Sequence, residues 1–300
     1  MEVRKIKMSF QINDRMFWPE GRTKAVTFSY DDGVSQDLRL IELFNRYGVK
    51  ATFNLNAGLL GIRGTVETGE KKASHNKLPK KELPAVYKGH EPASHGQLHC
   101  CMYGMDAGRC AQEILSCRAQ LESIFQKPLT GFAYAFGAVN DTIRRALVSC
   151  GISYGRTIRS THSFDIPEDF LMWDPTCHHD DKQLFPLADS FLSDENYFSF
   201  FSPAKLFYVW GHSYEFDQND NWNRMETFLQ KVSGHEDVWY ASNGEICSYV
   251  TAYKRLVFST DSRFVYNPSA VPVWLGGMFC SQTVKVSPGQ YAELLPPLEV

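Results

Sequence analysis

Within about 35 residues of Lys24 the chain passes from an apolar run to a helical pattern and back to an apolar run. "KAVTFSY" is β-branched and aromatic, and "VKATFNLNAG" reads as a second buried strand. Between them, "SQDLRLIELFNRYG" places Leu38, Ile41, Leu43 and Phe44 at helical spacing, with Gly48 as its C-cap. Strand, helix and strand over so short a span form a βαβ unit, which makes the two strands parallel. The alternation continues downstream. Residues 106–126 ("DAGRCAQEILSCRAQLESIFQ") form an amphipathic helix ended by Pro128, and "GFAYAFG" is a strand and turn. "NDTIRRALVSCG" is a capped helix leading into the strand "ISYGRT"; "KLFYVWGHS" is a further strand and "NWNRMETFLQKVSG" a further helix. This order predicts a parallel α/β sheet or barrel and argues against a sandwich.

The remaining segments differ in texture. "KIKMSFQI" near the N-terminus is expected to be a strand. Residues 61–88 are polar, lysine-rich and proline-punctuated, and are expected to form a loop excursion with one short helix. After about Lys254 no helical period survives and turn residues abound, which predicts a short β-rich extension over 255–300 packed on a barrel formed by 1–254. At about 45 residues that tail is short for an independent core.

The 300 residues are 43% hydrophobic and 22% charged, an ordinary globular balance. A net charge of −3 and a pI near 6.3 give no electrostatic footprint for nucleic acid or a membrane surface. "MEVRKIKMSF" lacks the apolar centre of a signal peptide, and no run approaches the ~18 apolar residues of a membrane span. A cytoplasmic location is therefore expected. Eight cysteines without a CxxC pair are expected to be reduced and mostly buried.

Four features carry candidate chemistry. "TFSYDDG" ends an apolar strand on Asp31 and Asp32, and in parallel α/β folds that end of a strand lines the ligand site. Two like charges there need a cation, a shared proton or full solvation. "GHEPASHGQLH" spaces His95 and His99 by four residues, which on a helical turn puts both imidazoles on one face. "GFAYAFG" ends on Gly137, where backbone amides can meet an oxyanion. "LFYVWGHS" delivers His212 at another strand end. Singly, each has an ordinary explanation as a turn, a surface histidine pair or a structural histidine. Together, one carboxylate and two imidazoles make an open three-ligand site for Zn²⁺ or a similar ion. The second carboxylate then serves as a general base and the distant histidine as an acid, a set suited to hydrolysis of an amide or ester.

The order of these motifs resembles that of the NodB-homology polysaccharide deacetylases, carbohydrate esterase family four. "TFSYDDG" resembles their TFDDG motif and "GHEPASHGQLH" their histidine motif. "FAYAFG" is similar, more loosely, to RPPYG, and "LFYVWGHS" to the last histidine motif. The likeness spans roughly residues 20–252. It implies a distorted (β/α)7 barrel, with residues beyond it forming the β appendix. It also implies Asp31 as catalytic base, Asp32, His95 and His99 as ligands of one divalent ion, and His212 as general acid. The backbone N–H of Phe136 would help hold the oxyanion. Zinc is the default ion, with cobalt or nickel as alternatives. The arginine of RPPYG falls at Ala133, and Arg156, at the end of the next strand, is the candidate replacement. "MWDPTCHHDD" supplies Trp173 and Asp174, and His178 or His179 at the pocket rim. Tyr30, Trp173, Trp210 and Tyr214 are candidates for stacking on a sugar, or else core aromatics.

The resemblance implies removal of an N-acetyl or related acyl group from a carbohydrate. A small amide or cyclic imide is the alternative substrate, and a non-catalytic carbohydrate-binding relative the alternative function. A haloacid-dehalogenase-type phosphotransferase requires Asp-x-Asp, which adjacent aspartates do not give. The oligomeric state is not specified by the sequence.

Overall fold

The computed structural model describes residues 15–193, 204–276 and 283–294. The strand expected at "KIKMSFQI" lies outside the described residues. The chain begins with β1 (Arg15–Phe17), β2 (Lys24–Asp31), α1 (Asp37–Arg46) and β3 (Thr52–Leu55). A hairpin of β4 (Thr65–Thr68) and β5 (Lys71–Ser74) and the single turn α2 (Leu83–Val86) precede β6 (Glu91–Ser94). Then come α3 (Ala107–Phe125), β7 (Gly131–Ala133), α4 (Asp141–Ser149) and β8 (Tyr154–Arg156). They are followed by β9 (Cys177–His178), α5 (Leu184–Leu192), β10 (Lys205–His212), α6 (Tyr214–Asn219), α7 (Trp222–Val232), β11 (Val238–Tyr240) and α8 (Asn243–Lys254).

The main sheet is parallel, in the order β8-β7-β6-β3-β2-β10-β9, with β11 joining the early residues of β2. Curled in this way, it is the distorted (β/α)7 barrel expected from the sequence, with helices outside.

Strand β2 explains why the sheet curls around polar groups. All eight of its residues are buried, and successive side chains face opposite sides of a strand. Phe28 and Tyr30 point outward onto Phe44 of α1, with ring centroids 4.9 and 5.8 Å apart. Thr27, Ser29 and Asp31 point inward, where Thr27 donates to Asn243 (2.8 Å) and Asn54 donates to both Ser29 and Asp31 (2.8 Å each). In α1 the buried stripe is Leu40, Ile41, Leu43 and Phe44, while Leu38 is exposed. At 100° per residue Leu38 falls outside the arc those four cover.

Three local features depart from expectation. The 61–88 excursion is built around the β4–β5 antiparallel hairpin, not a loop with one helix alone. His95 and His99 do not share a helical turn. His95 continues β6, its N–H bonding to Leu55 O (2.9 Å), and Gly96 and His99, at φ +80° and +55°, turn the chain back. The sequence reading also omitted β11, α5 and α8. Helix α8 lacks a narrow stripe: Ile246, Cys247, Tyr249, Val250 and Ala252 bury a broad arc between the barrel and the C-terminal strands, with Ser248 and Thr251 exposed on the remaining side.

Those strands are β12 (Val257–Phe258), β13 (Phe264–Tyr266), β14 (Val273–Gly276), β15 (Thr283–Val286) and β16 (Tyr291–Glu293). β14 pairs antiparallel with β1 and β15, and Tyr249 of α8 donates to Phe17 O while accepting from Trp274 N (3.0 Å). Among the described residues the cysteines are free; Cys110, Cys117, Cys150, Cys177 and Cys247 are buried.

Candidate active site

Sheet register assembles the site. Asp31 stands beside His212 on β10 and Asn54 on β3; Leu55 pairs with Ser94, one residue before His95, and Ala133 pairs with Arg156. All these positions lie at the C-terminal ends of parallel strands, so Asp31 and His212, 181 positions apart in sequence, converge on one rim.

Asp31 is 2% exposed. Nη2 of the fully buried Arg156 contacts both of its carboxylate oxygens, and the guanidinium lies 4.4 Å from the Trp210 ring centroid. Burial pushes the Asp31 carboxyl up, but Arg156, followed by His95 and His212, outweighs it and holds the group below its usual range. Arg156 thus meets Asp31 from the strand next to Ala133. The position opposite, too small to reach, instead offers its carbonyl: His95 Nδ1 lies 2.9 Å from Ala133 O. That hydrogen bond makes Nδ1 the donor and leaves the lone pair on Nε2.

Asp32 sits at φ +83°, a left-handed conformation uncommon for a non-glycine residue, and Gly33 follows at +63°. A Cβ on Gly33 would approach Leu55 Cδ2 to 2.8 Å, so a larger residue would also displace the end of the Leu55 side chain. One donor atom each from Asp32, His95 and His99 lies within 4.8 Å of the others. Burial lowers both imidazoles, His99 to about 4, so both are neutral donors at pH 7. One carboxylate and two neutral nitrogens facing a common point fit a divalent ion.

Two partners of Asp32 come from the 61–88 excursion, and sequence reasoning missed both. Lys77 Nζ donates to Asp32 Oδ1 (2.9 Å) and O (2.8 Å), and His75 Nε2 stands 3.1 Å from Oδ2. Burial opposes the charge of Asp32, but His75 and Lys77 carry the carboxyl well below its usual range. Each oxygen retains a further lone pair for an ion. A third omission is Glu215, in the first turn of α6. Its Oε2 accepts from the His212 N–H (3.0 Å) and lies 3.3 Å from His212 Nδ1. Burial works against the charge on His212, but Glu215 lifts the imidazole to about 9. His212 Nε2 is 3.8 Å from Asp31 Oδ2.

Asp32, His75, Lys77, His99, Phe136 and Tyr214 line a cavity of about 370 Å³, closed on one side by the hairpin and by Leu59 and Ile62. Phe136, at φ +58° and 64% exposed, holds its ring centroid 4.6 Å from that of His99. Other expectations need correction. Tyr30 is fully buried on the outward face of β2, which strand alternation turns away from the Asp31 side. Trp173 is buried against Tyr154, Phe170 and Tyr208. Neither presents a face to this cavity. His178 lies farther round the rim, its Nε2 3.1 Å from Glu215 Oε2.

Asp37 supplies a pH test of the packing beneath the site. Its buried carboxylate accepts from Ser213 Oγ (2.5 Å) and Tyr87 Oη (2.7 Å), and burial pushes it up to about 7. The unfolded value is about 3.9. Between those values the folded state holds a proton that the unfolded state releases, so stability drains as pH rises from about 4 to 7 and levels off above. Asp37→Asn should flatten that slope, by at most about 4 kcal/mol. Urea unfolding at pH 5 and pH 7.5 checks this, and an unchanged slope refutes the assignment.

The polysaccharide deacetylase family model matches residues 19–155. A comparison with curated proteins gives no match. Among solved structures, a protein from Mycobacterium smegmatis described as a polysaccharide deacetylase is 16% identical, with 80% of this chain and 94% of that one covered and a TM-score of 0.56. The Xyl-CE4 domain of a multidomain xylanase from the hindgut metagenome of Trinervitermes trinervoides gives 16% identity, coverage of 75% and 89%, and a TM-score of 0.47. A Streptococcus pyogenes deacetylase in complex with acetate gives 19% identity and a TM-score of 0.38 over 44% of this chain; the match spans 55% of that protein's length. The Mycobacterium smegmatis structure shares the fold, and the segment similar to the polysaccharide deacetylase family, residues 19–155, spans Asp31, Asp32, His95, His99 and Phe136.

Proposed function

We propose that the protein is a divalent-metal-dependent hydrolase that removes an N-acetyl or related acyl group from a carbohydrate. One observation carries this reading: a buried, cation-paired carboxylate, an Asp-His-His donor set and a carboxylate-backed histidine converge at one end of a single barrel. Asp32, His95 and His99 would hold the ion, which when bound polarises the acyl carbonyl and acidifies water. Asp31 accepts the proton of the attacking water. Arg156 and Asn54 fix the orientation of its carboxylate. The Phe136 backbone N–H faces the oxyanion. His212, charged at neutral pH beside Glu215, donates its proton to the departing nitrogen, which leaves as a free amine.

Acetate release from a panel of N-acetyl sugars by zinc-loaded protein tests the proposal. Stripping the ion with a chelator should abolish release, and zinc or cobalt should restore it; release that survives chelation refutes metal dependence. Asp32→Ala should lose both the ion and turnover. A second reading, hydrolysis of a small amide, is favoured by the apolar wall that Leu59, Ile62 and Val66 give the cavity. A monosaccharide or small amide outpacing a chito-oligosaccharide would support it.

A further inference from the structure

On the far side of His212 from Asp31 lies a second convergence of side chains, which shares Glu215 with His212 and includes two histidines that the hydrolytic chemistry leaves unused. His178 ends β9, His179 follows it, and Glu215 opens α6. Glu215 Oε2 stands 3.1 Å from His178 Nε2 and 3.4 Å from His179 Nε2, and one donor atom from each of the three residues lies within 4.8 Å of the others. His179 is wholly buried. Its ring stacks between Tyr30 (5.7 Å, 12°) and Phe216 (4.3 Å, 25°), which fixes its orientation. Gly211 makes the room: a Cβ there would meet His179 Nδ1 at 2.1 Å.

Among the described residues, neither ring nitrogen of His179 has a hydrogen-bond partner. Leaving a buried polar group unmet is costly, and native structures seldom do so without a water or an ion. An imidazole clamped between two aromatic rings cannot swing to another partner. Its Nε2 instead faces a carboxylate oxygen that a second imidazole also faces.

We propose that His178, His179 and Glu215 form a second divalent-cation site, suited to a borderline ion such as Zn²⁺ or Co²⁺. Two imidazole nitrogens and one carboxylate oxygen are the donors such ions take, and three protein ligands leave a position for solvent. His178 Nδ1 accepts from the Asp180 N–H (3.2 Å), which puts the ring proton on Nε2, so holding an ion there requires His178 to give up that bond and move its proton to Nδ1. A tetrahedral ion with bonds of about 2.0–2.1 Å needs donors about 3.3 Å apart, and the two separations from Glu215 Oε2 lie on either side of that figure. His178, with its side chain 24% exposed, gives the ion a path in. The site shares Glu215 with His212, so an ion held there contacts the partner of the candidate general acid.

The test is Co²⁺ titration of metal-free, full-length protein, followed by calorimetry and visible absorbance. Wild type should take up two equivalents, Asp32→Ala one, and Asp32→Ala/Glu215→Gln none. His178→Gln, at a partly exposed position, combined with Asp32→Ala, repeats the last arm should the Glu215 variant fail to fold. Zinc titration of Asp32→Ala should also shift the His178 and His179 ring resonances. A single wild-type equivalent abolished by Asp32→Ala overturns this site and leaves the hydrolytic proposal standing. A single equivalent that survives Asp32→Ala but not Glu215→Gln supports this site and removes the other. Two equivalents that persist in both Glu215→Gln and His178→Gln overturn it.

Discussion

Replacing Asp31 by Asn should lower acyl release about 10²–10⁴-fold while leaving metal uptake unchanged. The carboxylate is buried, and its neighbours define what asparagine keeps and what it loses. Asn54 donates to Oδ1 (2.8 Å), Arg156 contacts both oxygens, and His95 and His212 stand 3.7 and 3.8 Å from Oδ2. Asparagine preserves the volume and one acceptor for Arg156, so the geometry should survive. It cannot take a proton from water, so the step assigned to a base should fail. Asp31 is held below the usual carboxylate range, which makes it a weak base in exchange for a fixed, fully ionised acceptor. Pairing kcat/KM with metal content separates the roles. Lost turnover with full metal supports a base. Near-normal turnover refutes that role, and loss of both would move Asp31 into the metal-holding group beside Asp32.

The contrast between these two adjacent aspartates shows what was legible in the sequence. Strand alternation and the apolar run before "DDG" locate them at a strand end, and the parallel βαβ pattern makes that end the functional rim. His212 is found by the same logic. Arg156 could be nominated because the resemblance puts the arginine of RPPYG at Ala133, and Arg156 stands at the end of the next strand. The partners of Asp32 were not legible. His75 and Lys77 sit in a lysine-rich excursion whose composition matches any solvated loop, and only the β4–β5 hairpin folds them back over the site. Glu215 follows His212 by three residues, a spacing that acquires meaning only once α6 starts immediately after β10. Of the two roles open to Tyr30, the structure gives it the core one, because in a strand the residue next to Asp31 points the other way. The His95–His99 spacing was read with a helical period, but the chain there bends through Gly96 instead.

Arg156→Met should destabilise the fold by about 3–5 kcal/mol, the loss typical when one member of a buried ion pair is removed. Both partners are essentially buried, so neither charge can turn to solvent when the other is lost. Methionine fills much of the volume beside Trp210, which leaves the stranded Asp31 charge as the main source of the loss. The pH dependence identifies the cause. With Arg156 present, the Asp31 carboxyl is lower in the folded than in the unfolded state, so its contribution to stability is present above about pH 4 and lost as pH falls. Without Arg156 the opposing effect of burial gains weight, and the folded-state value rises. The gap in stability between wild type and variant should therefore widen as pH rises from 4 toward 8. The acid limb of any hydrolytic pH profile should move upward in the same variant. Arg156→Lys should recover part of both effects, because it restores a charge but not the planar guanidinium. Urea unfolding at three pH values measures the gap. A loss that is equal at all of them would mean that Arg156 acts through packing against Trp210, not through its charge on Asp31.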